Sequence, residues 1–268
     1  MTEKVTMLIM SCDKFSDLWS GHVSLLEQNW CDRNMNTYIV SDLHNEMKLP
    51  NVDVLCAGED VEWSDRLHYA LKHVNTEYVF VTLDDYYLIK KVNNQQMENL
   101  VSLMERENID YIRLFPRPKR ATKEVFKGHK KIRRIDTACD YSVNLYSGFW
   151  KKTFLESCIR TPQNAWRFEV SLHKRAMEYG ANCLVSNRGE FKILDVVRKG
   201  KLLRKASRYF KKHPEVYTGS RETNSLNYEV KLTIQQVVSR HLPRPIHRWL
   251  KSVLTKRGMK FYSDQVDE

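Results

Sequence analysis

The stretch Glu77-Tyr78-Val79-Phe80-Val81-Thr82-Leu83-Asp84-Asp85-Tyr86-Tyr87-Leu88 runs apolar on both faces up to Leu83 and then stops at two adjacent carboxylates. A strand with no polar face has to be covered above and below, which predicts a central place in a sheet flanked by helices. Ligands of open α/β sheets bind beyond the carboxyl ends of such strands, so Asp84 and Asp85 stand where a site would form.

The pattern repeats on the N-terminal side. Val5-Thr6-Met7-Leu8-Ile9-Met10 reads as a second buried strand, ending at Ser11-Cys12-Asp13. Leu18, Val23, Leu25, Leu26 and Trp30 follow at roughly helical spacing, and residues 36–40 resume a strand that ends at Ser41-Asp42. A short strand over 52–55 precedes an amphipathic helix with Trp63, Leu67, Ala70, Leu71 and Val74 on its apolar face. Beyond the acidic pair, helices are predicted over 95–106, 152–158 and 166–179, and strands over 111–115 and 191–197. A Pro-broken basic loop starts at Pro116, and 141–150 reads as a second sheet region. This alternation predicts an α/β, doubly wound, mostly parallel sheet with helices on both faces.

The 268 residues carry a net charge of +11 and are 42% hydrophobic, a composition that buries a core and is neither disordered nor fibrous. The charge is uneven. Residues 1–197 hold 27 basic and 27 acidic side chains, residues 198–260 hold 17 against 3, and residues 261–268 none against 3. We therefore expect a catalytic domain over 1–197 and a basic helical C-terminal extension over 198–268. That extension has two amphipathic helices, one with Val230, Ile234, Val237, Val238 and His241 on its face, the other with Ile246, Trp249, Leu250, Val253 and Leu254. Such helices suit an anionic membrane surface, or else pack on the domain. No run reaches the roughly 18 to 20 apolar residues of a membrane span and the start lacks a secretory signal, which predicts a cytoplasmic protein, peripheral at the inner face of the plasma membrane. The six cysteines are scattered without a CxxC pair and read as small buried hydrophobes.

Three constellations carry chemistry. Asp84 and Asp85 suit a hard divalent cation, Mn²⁺ or Mg²⁺, which in turn holds a diphosphate; an Asp-Asp turn is the plainer alternative. In Glu62-Trp63-Ser64-Asp65-Arg66-Leu67, Arg66 would hold a phosphate or orient Asp84, and Asp65 would bond a sugar hydroxyl. Asn164-Ala165-Trp166-Arg167-Phe168-Glu169 sets an acid among aromatics at a helix start, as in a sugar site where rings stack on pyranose faces and the acid takes a hydroxyl proton. Downstream, Arg198, Lys199 and Lys201 around Gly200 read as a basic lid over a diphosphate, or as a solvated linker.

Together with the Tyr146-Ser147-Gly148-Phe149-Trp150-Lys151-Lys152 segment, these motifs over roughly residues 5–200 resemble GT-A-type, family-2-like glycosyltransferases of bacterial capsule and lipopolysaccharide assembly. The resemblance implies a nucleotide-sugar donor, UDP-linked as a first guess, and a lipid-linked or oligosaccharide acceptor. It assigns the metal and diphosphate to Asp84 and Asp85 and the nucleoside to Ser11, Cys12, Asp13 and Asp42; from the residues themselves we add donor contacts at Asp65, Arg66 and Lys201 and acceptor contacts at Trp150 and Trp166. Glu169 becomes the base of an inverting transfer. The motif reads Asp-Asp-Tyr where that family usually has Asp-x-Asp, so either the two acids divide the work differently or the metal is loosely held. Two rival readings remain: a nucleic-acid-binding protein using the basic C-terminal region, disfavoured because it gives the strand-end acids no role, and a nucleotidyltransferase of related architecture.

Overall fold

A computed structural model describes residues 4–43, 47–187, 189–230 and 252–253. The chain runs β1 (Val5–Met10), α1 (Trp19–Asn29), β2 (Thr37–Ser41), β3 (Asp53–Cys56), α2 (Trp63–His73), β4 (Tyr78–Leu83), β5 (Tyr86–Leu88), α3 (Asn94–Glu107), β6 (Tyr111–Arg113), β7 (Thr122–Val125), β8 (Ile132–Ile135) and β9 (Gly148–Lys151). It continues through α4 (Lys152–Ser157), α5 (Ala165–Tyr179), β10 (Cys183–Ser186), β11 (Ile193–Asp195), β12 (Val197–Arg198), β13 (Lys201–Leu202) and α6 (Arg204–Lys212).

Nine of these strands form one sheet in the order β3-β2-β1-β4-β9-β6-β10-β8-β7. From β3 to β4 every pairing is parallel, β9 runs antiparallel to both β4 and β6, and β6 pairs in parallel with β10. The order reverses at β1, whose neighbours are β2 on one side and β4 on the other, and this is the switch point at which α/β sheets open a crevice.

Burial explains why these residues take these places. All six residues of β1 are buried, as a central parallel strand requires. Val5, Met7 and Ile9 lie on the face covered by α1 and α3, with Trp19, Val23, Met97, Leu100 and Met104. Leu8 and Met10 lie on the face covered by α2, α4 and α5, with Leu67, Leu71, Phe154, Phe168 and Leu172. The period-two side-chain alternation of one strand thus feeds two separate helical layers.

Several expectations are corrected. The basic loop contains the antiparallel pair β7 and β8, and β10 was not foreseen at all. Within 141–150 only Gly148 to Trp150 are strand. The boundary near residue 197 is crossed by the core: Leu202, Ala206, Phe210 and Val216 cluster with Leu18, Leu25 and Tyr87. Arg221 ties the end of that segment down, its Nε and Nη2 donating to the Asp17 carboxylate at 2.7 and 2.6 Å. The helices expected over 230–254 lie, but for Val230, Ser252 and Val253, outside the described residues. Cys139, Cys158 and Cys183 are buried as expected, whereas Cys12 and Cys56 are half-buried and Cys31 is exposed. No described helix is long and apolar enough to cross a membrane.

Candidate active site

The acidic pair sits in the turn between β4 and β5. Because β4 belongs to the main sheet while β5 leaves it to pair with β11, the two carboxylates part company. Asp84 turns toward β1. Its Oδ2 accepts from the Ser11 hydroxyl at 2.5 Å, and Ser11 Oγ accepts from Trp19 Nε1 at 2.7 Å. His22 Nδ1 lies 3.0 Å from the Asp84 carbonyl and donates to it as the neutral tautomer. Burial pushes the Asp84 carboxyl up to about 7 against the pull of Ser11, and burial lowers His22 to about 4.

Asp85 turns the other way, into a cavity of about 560 Å³ at the carboxyl edge of the sheet, walled also by Tyr86, Tyr146, Trp166, Glu169, Arg198 and the 117–120 segment. Its Oδ1 is buried without a hydrogen-bond partner, and burial, then Asp195, then Asp84 drive its carboxyl well above the usual range. Asp195 pairs with Tyr86 in the β5–β11 ladder, and its Oδ1 is likewise buried and unpartnered. Its Oδ2 accepts from Arg198 Nη2 at 2.6 Å. Asp195 is a site residue that the sequence reading missed; an acid inside the apolar run Ile193-Leu194-Asp195-Val196-Val197 was the available signal.

Glu169 reaches the same cavity from α5, whose start is capped by Asn164 accepting from the Arg167 amide at 3.1 Å. That cap sets the helix phase so that Trp166 and Glu169, three residues apart, share the cavity wall while Phe168 turns into the core against Trp63. The Leu145 amide donates to Glu169 Oε1 at 3.1 Å and holds the carboxylate in place. Burial raises its affinity for a proton, moderated by that amide and by Arg198 and Arg113. Trp166, 53% exposed, offers a ring face with the Arg198 guanidinium 5.9 Å from its centroid.

Other expected site residues are placed differently. Asp13, Asp42 and Arg66 bond to one another and to their neighbours: Asp42 Oδ1 takes Arg66 Nη1, Asp42 Oδ2 takes the Asp13 amide at 3.2 Å, and Asp13 takes the Ser41 hydroxyl and the Leu43 amide, while Arg66 Nε is left buried without a partner. Arg66 therefore orients Asp42, not Asp84. Cys12 is half-buried beside them, its thiol pushed up by burial and by Asp84 and Asp42. None of these, nor Ser11, Asp65 or Lys201, lines the large cavity. Lys201 is exposed and paired with Glu222 at 2.5 Å. The supposed lid is a β12–β13 hairpin whose turn residues Lys199 and Gly200 both have positive φ, 53° and 74°, a shape that fixes the turn. Trp150 is fully buried, its ring 4.0 Å from that of Tyr111, and meets no acceptor there.

The oxygen donors of Asp85 and Asp195 fit a hard divalent cation, since each leaves a buried oxygen unsatisfied and Asp195 raises the cost of charge on Asp85. Among the described residues no group of three or more His, Cys, Asp or Glu forms a protein-only cage.

No protein-family model matches the sequence, and no curated protein does either. Among solved structures, a mannosyltransferase of Pyrobaculum calidifontis in complex with GDP-Man and Mn²⁺ superposes with a TM-score of 0.51 at 12% identity, over 99% of this chain and 83% of that one. The fold is GT-A-like. S. aureus TarS 1-349 is more distant, at a TM-score of 0.48 and 10% identity, and the match spans 70% of this chain but only 59% of that one. A cytidylyltransferase of Leptospira borgpetersenii has a TM-score of 0.42 at 12% identity, over 82% and 98% of the two chains.

Proposed function

We propose that the protein transfers a sugar from a nucleotide-sugar donor, UDP-linked as the first choice, to a hydroxyl of a growing cell-surface glycan of the capsule or lipopolysaccharide kind, with inversion. The observation that carries the reading is a positioned carboxylate, Glu169, sharing one cavity with the exposed ring of Trp166 and the unsatisfied acid Asp85. Trp166 stacks on the acceptor sugar, and Glu169 accepts the proton of the attacking hydroxyl. A raised carboxyl pKa makes Glu169 a better base than an ordinary carboxylate. Ser11 and Asp84, bonded to each other at the ends of β1 and β4, would support the nucleoside end of the donor. A divalent cation held by Asp85 and Asp195 would neutralise the departing diphosphate. The acceptor is lipid-linked or an oligosaccharide, and the basic C-terminal residues would hold the enzyme at the anionic inner face of the membrane.

A thermal-shift panel of nucleotide sugars, with and without Mn²⁺, tests the reading. A shift that needs both ligand and metal, followed by release of nucleoside diphosphate when an acceptor is added, is the expected result. Pyrophosphate release from a nucleoside triphosphate would instead identify a nucleotidyltransferase.

A further inference from the structure

The cavity has two electrical ends. Asp85 and Glu169 belong to one; Arg117, Lys119 and Arg120, all exposed, belong to the other. A line of rings joins them. Tyr86 stacks on Tyr146 with centroids 5.8 Å apart at 16°, Tyr146 on Phe115 at 4.2 Å and 27°, and the Arg117 guanidinium sits 5.9 Å from the Phe115 centroid.

The cations at the second end differ from their neighbours in sequence. Further along the same basic stretch Lys123 faces Asp136 at 3.3 Å, Lys127 faces Glu107, and Arg134 faces Glu124 at 3.4 Å. Arg117, Lys119 and Arg120 have no carboxylate within ion-pair distance among the described residues, although they line a concave wall. Three unneutralised cations on one wall focus positive potential into the cavity, and an arginine fork matches the geometry of phosphate or carboxylate oxygens. Their place in the sheet separates them from the donor's diphosphate. They follow β6, which lies two strand positions from β4 across β9, about 10 Å at the usual interstrand spacing.

We propose that this basic end binds an anionic substituent, phosphate or carboxylate, carried by the acceptor, so that the acceptor is a charged glycan rather than a neutral one. The proposal rests on the glycosyltransferase reading of the Glu169 cavity. The acceptor's anion docks at Arg117–Arg120, its ring crosses the aromatic line, and its free hydroxyl arrives at Glu169.

The test is a ligand-observed NMR titration of the full chain with glucose, glucose 6-phosphate and glucuronate, repeated with saturating nucleoside diphosphate and Mn²⁺ and in the R117Q/K119Q/R120Q variant. The charged sugars are expected to bind, glucose to bind roughly tenfold to a hundredfold more weakly, and the triple substitution to remove the difference. Preference for glucose 6-phosphate identifies a phosphate-bearing acceptor, preference for glucuronate a carboxylate-bearing one. The proposal is overturned if glucose binds as well as the charged sugars, if the variant binds them unchanged, or if the nucleoside diphosphate displaces them, which would make the basic end part of the donor site. Length-dependent binding of an oligonucleotide that outcompetes the sugars and is lost in the variant would also overturn it. If nucleoside diphosphate with Mn²⁺ fails to bind while the charged sugars still do, the transferase reading falls and the anion site stands.

Discussion

Two corners of the molecule carry acids at strand ends, and they are built on opposite terms. At the ends of β1 and β2 the carboxylates of Asp13 and Asp42 are engaged by Arg66, the Asp13 amide, the Ser41 hydroxyl and the Leu43 amide, although Arg66 Nε stays buried without a partner. Around the cavity, Asp85 and Asp195 each keep a buried oxygen with no partner, and Arg198 keeps an unpartnered Nε. A buried polar group left unsatisfied costs free energy that a fold ordinarily avoids. The first corner is therefore scaffold for the crevice, and the second is held in readiness for something that supplies charge and hydrogen bonds.

Glu169→Gln tests the open corner most severely. Turnover should fall on the order of 10²–10⁴-fold while nucleoside diphosphate affinity, read by titration, stays at the wild-type value. Retained turnover would remove Glu169 from the chemistry.

Matched substitutions at the two corners should then move stability in opposite directions. Arg66→Gln breaks a partly buried ion pair and leaves Asp42 Oδ1 without its guanidinium, so urea denaturation should show a loss of about 1–3 kcal/mol. Asp85→Asn removes a repelled, buried charge and should raise the melting temperature of the metal-free protein while abolishing the Mn²⁺-dependent thermal shift. A fall in stability in both variants would erase the contrast.

The last test is one of pH. Asp84 has a folded pKa near 7 against an ordinary 3.8, so the folded state binds its proton more tightly; the stability this gives is complete below pH 4 and is lost as pH climbs through 7. His22 works in the opposite sense, since its pKa of about 4 against 6.5 makes stability rise with pH between those values. Asp84→Asn keeps an acceptor for Ser11 and removes the first contribution. Relative to wild type, the variant should gain stability steadily between pH 4 and 7 in denaturation curves. A flat difference would show that Asp84 does not carry this strained proton.

Much of the first half was legible because its strands are buried on both faces: unbroken apolar runs such as Val5–Met10 and Tyr78–Leu83 cannot be read as surface elements. Glu169 and Trp166 were legible from a capped helix start with an acid among aromatics. The edge strands were not. Thr122–Val125 exposes most of its residues and Ile132–Ile135 carries two arginines, so their pairing is set by neighbours, not by their own pattern. Asp195 was hidden for a different reason. Its relation to Asp85 arises only when β11 pairs with β5 across more than a hundred residues, and no local periodicity records that. Trp150 misled because an aromatic within a motif looks the same in sequence whether it lines a cleft or fills a core.

The position of β9 has a consequence for how the chain is made. Gly148–Lys151 sits between β4 and β6 and bonds to both, yet it is synthesised after either of them. Emerging from a ribosome, β1 to β4 can close into a parallel unit at once, whereas β6 must wait, with its backbone edge bare, for a later segment to be threaded into the gap. Non-local pairing of this kind is slow and leaves an edge open to association with other chains, so the nascent protein is most vulnerable in the interval between Tyr111 and Gly148.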